Sequence, residues 1–173
     1  MFSTHTKVLY FLLSIIFLAT LVACASSRDM SIYPAPNGDV INYIHSAPLE
    51  GPDHHVDMDF TVLESNHAFL NITSNFSLKL SSNAESSFTN FSFELANGTS
   101  VSMVDVKTIY ADANKKTIRF TGQISPTDFQ LLLDSPKLLF IAKNNNTAVH
   151  FTPSSEFNTS LAKANTQFKF GRN

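Results

Sequence analysis

Apolar and polar side chains alternate most cleanly through Val56-Asp57-Met58-Asp59-Phe60-Thr61-Val62. Successive side chains of a strand point to opposite faces, so this run predicts a β-strand with one buried face. Residues 76–80, 91–95 and 118–120 repeat the pattern, and alternation of this kind sets in from Asp39 onward. Asn97-Gly98 and the stretch 114–116 supply turn chemistry between neighbouring strands, which predicts antiparallel hairpins.

The last third of the chain changes period. Ser125, Pro126 and Asp128 place a capping hydroxyl, a first-turn proline and an acid three residues after the cap, ahead of Phe129, Leu132 and Leu133 on one face. These are the signals of a short helix, which Pro136 stops. Thr152, Pro153 and Glu156 predict a second helix that opens in the same way, with Phe157, Leu161, Ala164 and Phe168 as its apolar stripe and Gly171 as terminator. Between the helices, 137–142 and 148–151 read as a hairpin about a turn at 143–146, its first strand buried on both faces. The expected architecture is mainly β with a minor α part. It is an antiparallel β-sandwich or strongly curved sheet with two short C-terminal helices packed over one face or end.

The N-terminus obeys a different logic. Lys7 precedes an uncharged apolar run from Val8 to Val22. That run stands at the long end of a signal-peptide core, roughly 7–15 residues, and short of the roughly 18 that span a bilayer. Leu21-Val22-Ala23-Cys24 closes it and resembles the lipobox of bacterial lipoproteins, in which a peptidase cuts ahead of a cysteine carrying diacylglycerol. The resemblance implies a signal peptide over 1–23, lipid on Cys24, and membrane attachment through several acyl chains. Each buried methylene contributes about 0.8 kcal/mol, and two or more chains anchor stably. Ala25 in place of Asp after the cysteine implies, by the family's sorting tendency, the outer membrane of a bacterial envelope, facing the periplasm or the cell surface. Cys24 is the only cysteine, so no disulfide partner competes for it. An ordinary signal peptide with an incidental cysteine is the alternative.

Beyond the leader, 24–38 is rich in small and turn residues and reads as a lipidated tether, and 39–173 as a single mainly-β domain. The net charge is −2 with the signs interspersed. No basic cluster points to nucleic acid or to an anionic bilayer as partner.

Catalytic motifs are missing. The five glycines stand apart from one another, so no phosphate loop or nucleophile elbow is built from them. The sequence lacks Cys-x-x-Cys and His-Glu-x-x-His, has no Trp for sugar stacking, and carries Tyr33 and Tyr43 near the tether. Glu64 and Asp112 are acids that nothing singles out as a pair.

One constellation remains. His54, His55, Asp57 and Asp59 combine imidazole with carboxylate, the usual ligands of zinc or copper outside the cell. On a strand His55, Asp57 and Asp59 share a face at about 6.5–7 Å spacing, so a single ion requires bent side chains or a cross-strand His67 or His45. The competing reading is a polar solvent face after a Gly51-Pro52 turn. His150 reads as a rim residue. Six Asn-x-Ser/Thr triplets, at Asn71, Asn75, Asn90, Asn97, Asn145 and Asn158, follow from composition if the source is bacterial and mark glycosylation if it is not.

The leading expectation is therefore a lipid-anchored envelope protein, without catalytic activity, that acts as an interaction or assembly module for another envelope protein. The alternatives are a lipoprotein that binds a metal or small ligand through His54, His55, Asp57 and Asp59, and an envelope enzyme of unrecognised type.

Overall fold

In the computed structural model the described residues are 29–80, 88–114 and 116–170. The leader, Cys24, the tether's first residues 25–28, Lys115 of the 114–116 turn and Gly171 lie outside them. The elements follow the order β1 (Met30–Pro34), β2 (Val40–Glu50), β3 (His54–Ser65), β4 (Ala68–Leu80), β5 (Asn90–Leu95), β6 (Ser100–Ser102), β7 (Val104–Ala111), β8 (Thr117–Ile124), α1 (Pro126–Asp134), β9 (Leu138–Lys143), β10 (Ala148–Pro153) and α2 (Ser155–Phe170).

The strands form one antiparallel sheet in the order β6-β5-β9-β10-β2-β3-β4-β8-β7, with β1 added to β2. Its two ends, β6 and β7, are consecutive in the chain and joined through Met103. The Met103 N–H donates to the Phe91 carbonyl at 2.9 Å. One bent strand thus pairs with β5 at its start and β8 at its end, and the sheet curls into a nearly closed barrel. A second corner lies in β10, where 148–151 pair with β9 while Thr152 and Pro153 pair with Glu50 and Leu49 of β2. The architecture expected from alternation is what the chain adopts, mainly β with two helices near the C-terminus.

Phenylalanine fills the interior. The Phe76 ring lies 4.8 Å from Phe91, 5.1 Å from Phe120 and 5.3 Å from Phe140, and Phe140 continues to Phe93 and Phe151. The helices supply the rest: Phe129 of α1 and Phe157 of α2 pack on Phe60 of β3, and Phe69 joins Phe129 to Phe168. Burial of such side chains contributes about 1.5–3 kcal/mol each.

Ser125 caps α1 as expected, accepting from the Asp128 N–H at 3.0 Å. The start of α2 differs from expectation. Thr152 and Pro153 finish β10, and Ser154 is the cap, its Oγ accepting from the Phe157 N–H at 3.1 Å. Both places satisfy the local rules for a helix start, and pairing with β2 decides between them.

The tether is corrected as well. Residues 30–34 form β1 on Val40–Ile44 of β2, because β10 reaches only Leu49 and Glu50 along that edge and leaves its first half to be covered. Asp29 pairs with Lys163 of α2, and Met30 packs on the core. Residues 30–34 are therefore part of the folded sheet, ahead of Asp39.

Two substitutions test the interior. Phe140→Ala is expected to cost about 3–5 kcal/mol in urea unfolding, as for large-to-small changes in packed cores. A Cβ at Gly122 would lie 2.9 Å from Met103 Cε and 3.0 Å from Val106 Cγ2. Gly122→Val is accordingly expected to lose about 1–3 kcal/mol by overpacking the corner.

Candidate functional site

The outer face of β3 carries His55, Asp57, Asp59 and Thr61, because the inner face takes Val56, Met58, Phe60 and Val62. The neighbouring strands decide what these side chains meet. His55 lies opposite Lys79 of β4, Asp59 opposite Asn75, and Arg119 of β8 opposite Ser77.

Two networks result. Asp57 Oδ1 lies 2.8 Å from His55 Nε2, and Lys79 Nζ donates to Asp57 Oδ2 at 2.6 Å. Burial alone would raise the Asp57 carboxyl, but the Lys79 and His55 hydrogen bonds outweigh it and hold the group below its ordinary range. Asp59 accepts from Asn75 Nδ2 at 2.9 Å and from Arg119 Nη2 at 3.1 Å, with the Tyr43 hydroxyl nearby. Although it is on the outer face, Asp59 is only 2% exposed. Here desolvation outweighs the Asn75 and Arg119 contacts, so its carboxyl is pushed up. Tyr43 is raised too, first by burial and then by the Asp59 charge.

The four residues suggested as metal ligands do not converge. His54 turns to the opposite side of the strand, beside Leu80, with its Nδ1 buried and unpartnered. Asp57 is occupied by Lys79 and His55, and Asp59 by Arg119 and Asn75. Of the two cross-strand histidines, His45 bonds Ser31 at 2.8 Å and sits edge-on to Tyr43, and His67 lies in the β3–β4 turn. Among the described residues no three His, Cys, Asp or Glu side chains are placed to hold an ion. Donors from β4 and β8 take the carboxylate lone pairs instead.

Other sequence landmarks have local roles. Asp112 accepts the Lys116 and Thr117 N–H groups in the β7–β8 turn, and His150 is exposed on β10. Five of the Asn-x-Ser/Thr asparagines are exposed, whereas the Asn75 amide is committed to Asp59. Sequence reasoning missed Tyr43, Asn75, Lys79 and Arg119. Only the outward position of Arg119 in Ile118-Arg119-Phe120 hinted at it.

No family model, curated protein or solved structure matches the chain. Among the described residues no helix is long and apolar enough to cross a membrane.

The two acids should act on stability in opposite senses. Asp57, depressed in the fold, contributes stability above its unfolded value near 3.8 that is lost as pH falls through the folded value. Asp59, raised in the fold, is most favourable to stability below 3.8 and loses that contribution as pH rises through its folded value. Urea midpoints across the acid range are expected to show a shallower acid loss in Asp57→Asn and a removed high-side loss in Asp59→Asn. Parallel profiles for both variants and the parent would contradict these assignments.

Proposed function

We propose that the chain is a lipoprotein of the bacterial envelope, held by acyl chains on Cys24, and that its folded domain is a non-catalytic module for binding another envelope protein. The binding surface in this reading is the outer face around Tyr43, Asp59 and Arg119. The observation that carries it is the guanidinium of Arg119, held through Nη2 to a buried carboxylate and yet 42% exposed. A held arginine loses little freedom on meeting a partner, and arginine beside tyrosine is the composition of interface hot spots. Such a group would receive a carboxylate or carbonyl of the partner in the planar geometry a guanidinium prefers.

Chain length supports a partner at the membrane. At most about 3.6 Å per residue, the five peptide steps from Cys24 to Asp29 reach no more than about 18 Å. A lipid on Cys24 would keep the domain against the bilayer surface.

Mass spectrometry of the native N-terminus is expected to give a chain that begins at Cys24 with thioether-linked diacylglycerol, and Cys24→Ser a chain released from membranes. A free thiol or a retained leader would overturn the anchoring. Arg119→Lys keeps a charge beside Asp59 but removes the planar fork, and is expected to weaken the partner recovered by cross-linking at least about tenfold. Unchanged recovery would move the binding surface elsewhere.

A further inference from the structure

At the end of the barrel under the C-terminal turn of α2, the interior rows of β2 and β3 stop being apolar. The row of Val56, Met58, Phe60 and Val62 on β3 ends in Glu64, and Ile44 of β2 is followed along the same face by Asn42, which is only 3% exposed. Asn42 Nδ2 donates to Glu64 Oε2 at 3.1 Å. The other carboxylate oxygen, Oε1, is 3.9 Å from His67 Nδ1, beyond hydrogen-bond range. These groups face a cavity of about 420 Å³ whose apolar wall includes Ile32, Val40 and Phe168.

Three departures from good folding practice meet here. A carboxylate 15% exposed ends an inward apolar row with one neutral donor. The ladder slips between Leu63 and Glu64, which leaves Leu70 bulged and 53% exposed. Asn66 and His67 take φ of 48° and 62° in the turn that follows. Two left-handed residues are what a tight hairpin needs, and its second position ordinarily goes to glycine. A histidine there costs about 1–2 kcal/mol. A Gly at 67 and an apolar residue at 64 would serve the fold better, and departures of this kind gather at binding sites.

We infer that this mouth is a binding site for an alkylammonium group. Among the described residues that line it there is no Lys or Arg, and the nearest nitrogen that can carry charge, His67 Nδ1, stands 3.9 Å from Glu64 Oε1 on a ring 69% exposed, so the carboxylate keeps an oxygen open to a closer cation. An ammonium carries three donors. One would meet Glu64 Oε1 and a second Asn42 Oδ1, while a short alkyl chain lies on Val40 and Phe168. A free amine and a lysine side chain present the same chemistry. The inference stands apart from the lipid anchor and from the Arg119 face.

The test is an NMR titration of the full chain in detergent micelles with n-butylammonium, with Nα-acetyl-lysine amide, and with 1-butanol as a neutral analogue of similar shape. Saturable shifts of the Asn42 side-chain amide and the Asn66 and His67 backbone amides are expected with an ammonium probe and not with 1-butanol. Response to butylammonium alone identifies a free amine, and response to the lysine derivative alone a protein side chain; either supports the site. Glu64→Gln is expected to weaken binding at least about tenfold. Glu64→Asp, which keeps the charge but withdraws it by one methylene, serves if Gln prevents folding and is expected to weaken binding to a lesser degree. His67→Gly is expected to raise thermal stability, because glycine adopts the left-handed turn without strain. Equal response to 1-butanol, no response to either ammonium probe, or unchanged affinity on replacing Glu64 would overturn the inference and leave the Glu64–Asn42 pair as a structural closure.

Discussion

Closure of the sheet on itself is the constraint from which the rest follows. An open antiparallel sheet presents unpaired N–H and C=O groups at both edges, a template for aggregation. Here the two terminal strands of the hydrogen-bonded path are one bent chain segment, turned at Met103, and β10 makes a second turn between its pairing with β9 and with β2. These corners curl the sheet around the cluster of Phe76, Phe91, Phe93, Phe120, Phe140 and Phe151, while the helices close over Phe60 and Phe69. Gly122 leaves room where Met103 and Val106 cross it.

Because the inner face is committed mainly to apolar side chains, with Ser74 a buried exception, the networks of Asp57, Asp59 and Glu64 lie on the outer face and at the barrel's end. On the outer face each acid is met by donors: Lys79 of β4 and His55 on the same strand serve Asp57, and Asn75 of β4 and Arg119 of β8 serve Asp59. The networks differ in what they leave available. Asp59 is sealed, and its stabilising cation is half in solvent, so the exposed group is a fixed guanidinium. At the mouth the arrangement is reversed, with Glu64 facing a cavity that no Lys or Arg lines among the described residues. The molecule therefore offers a positive group on one surface and a negative one at another.

Alternation made β3, β5 and the cores of β4 and β8 legible, because each has one buried face. It failed for β7, where every side chain but Val106 is exposed and no period of two survives, and for β1, whose five residues are held by pairing rather than by pattern. The start of α2 was displaced because Thr152-Pro153 and Ser154 both satisfy cap chemistry. That His55, Asp57 and Asp59 share a face was readable, and so was their separation. What they contact was not, since Arg119 is 60 residues from Asp59 and reaches it only through the β3–β4–β8 register. The mouth site was less legible still. Glu64 looked like one acid among fourteen; alternation from Val62 turns it inward, but no local pattern announces that Asn42 and a cavity meet it there.

The central claim is that the strands form one closed, cooperative unit that holds both polar sites rigid. Native-state hydrogen exchange followed against urea tests it most directly. The claim requires the paired amides of β5 and β9 to open with the same free energy and urea dependence as those of β3 and β4. Opening of β5, β6 and β9 at distinctly lower free energy, ahead of β3, β4 and β8, would mean two separable sheets without closure at Met103, and would contradict it.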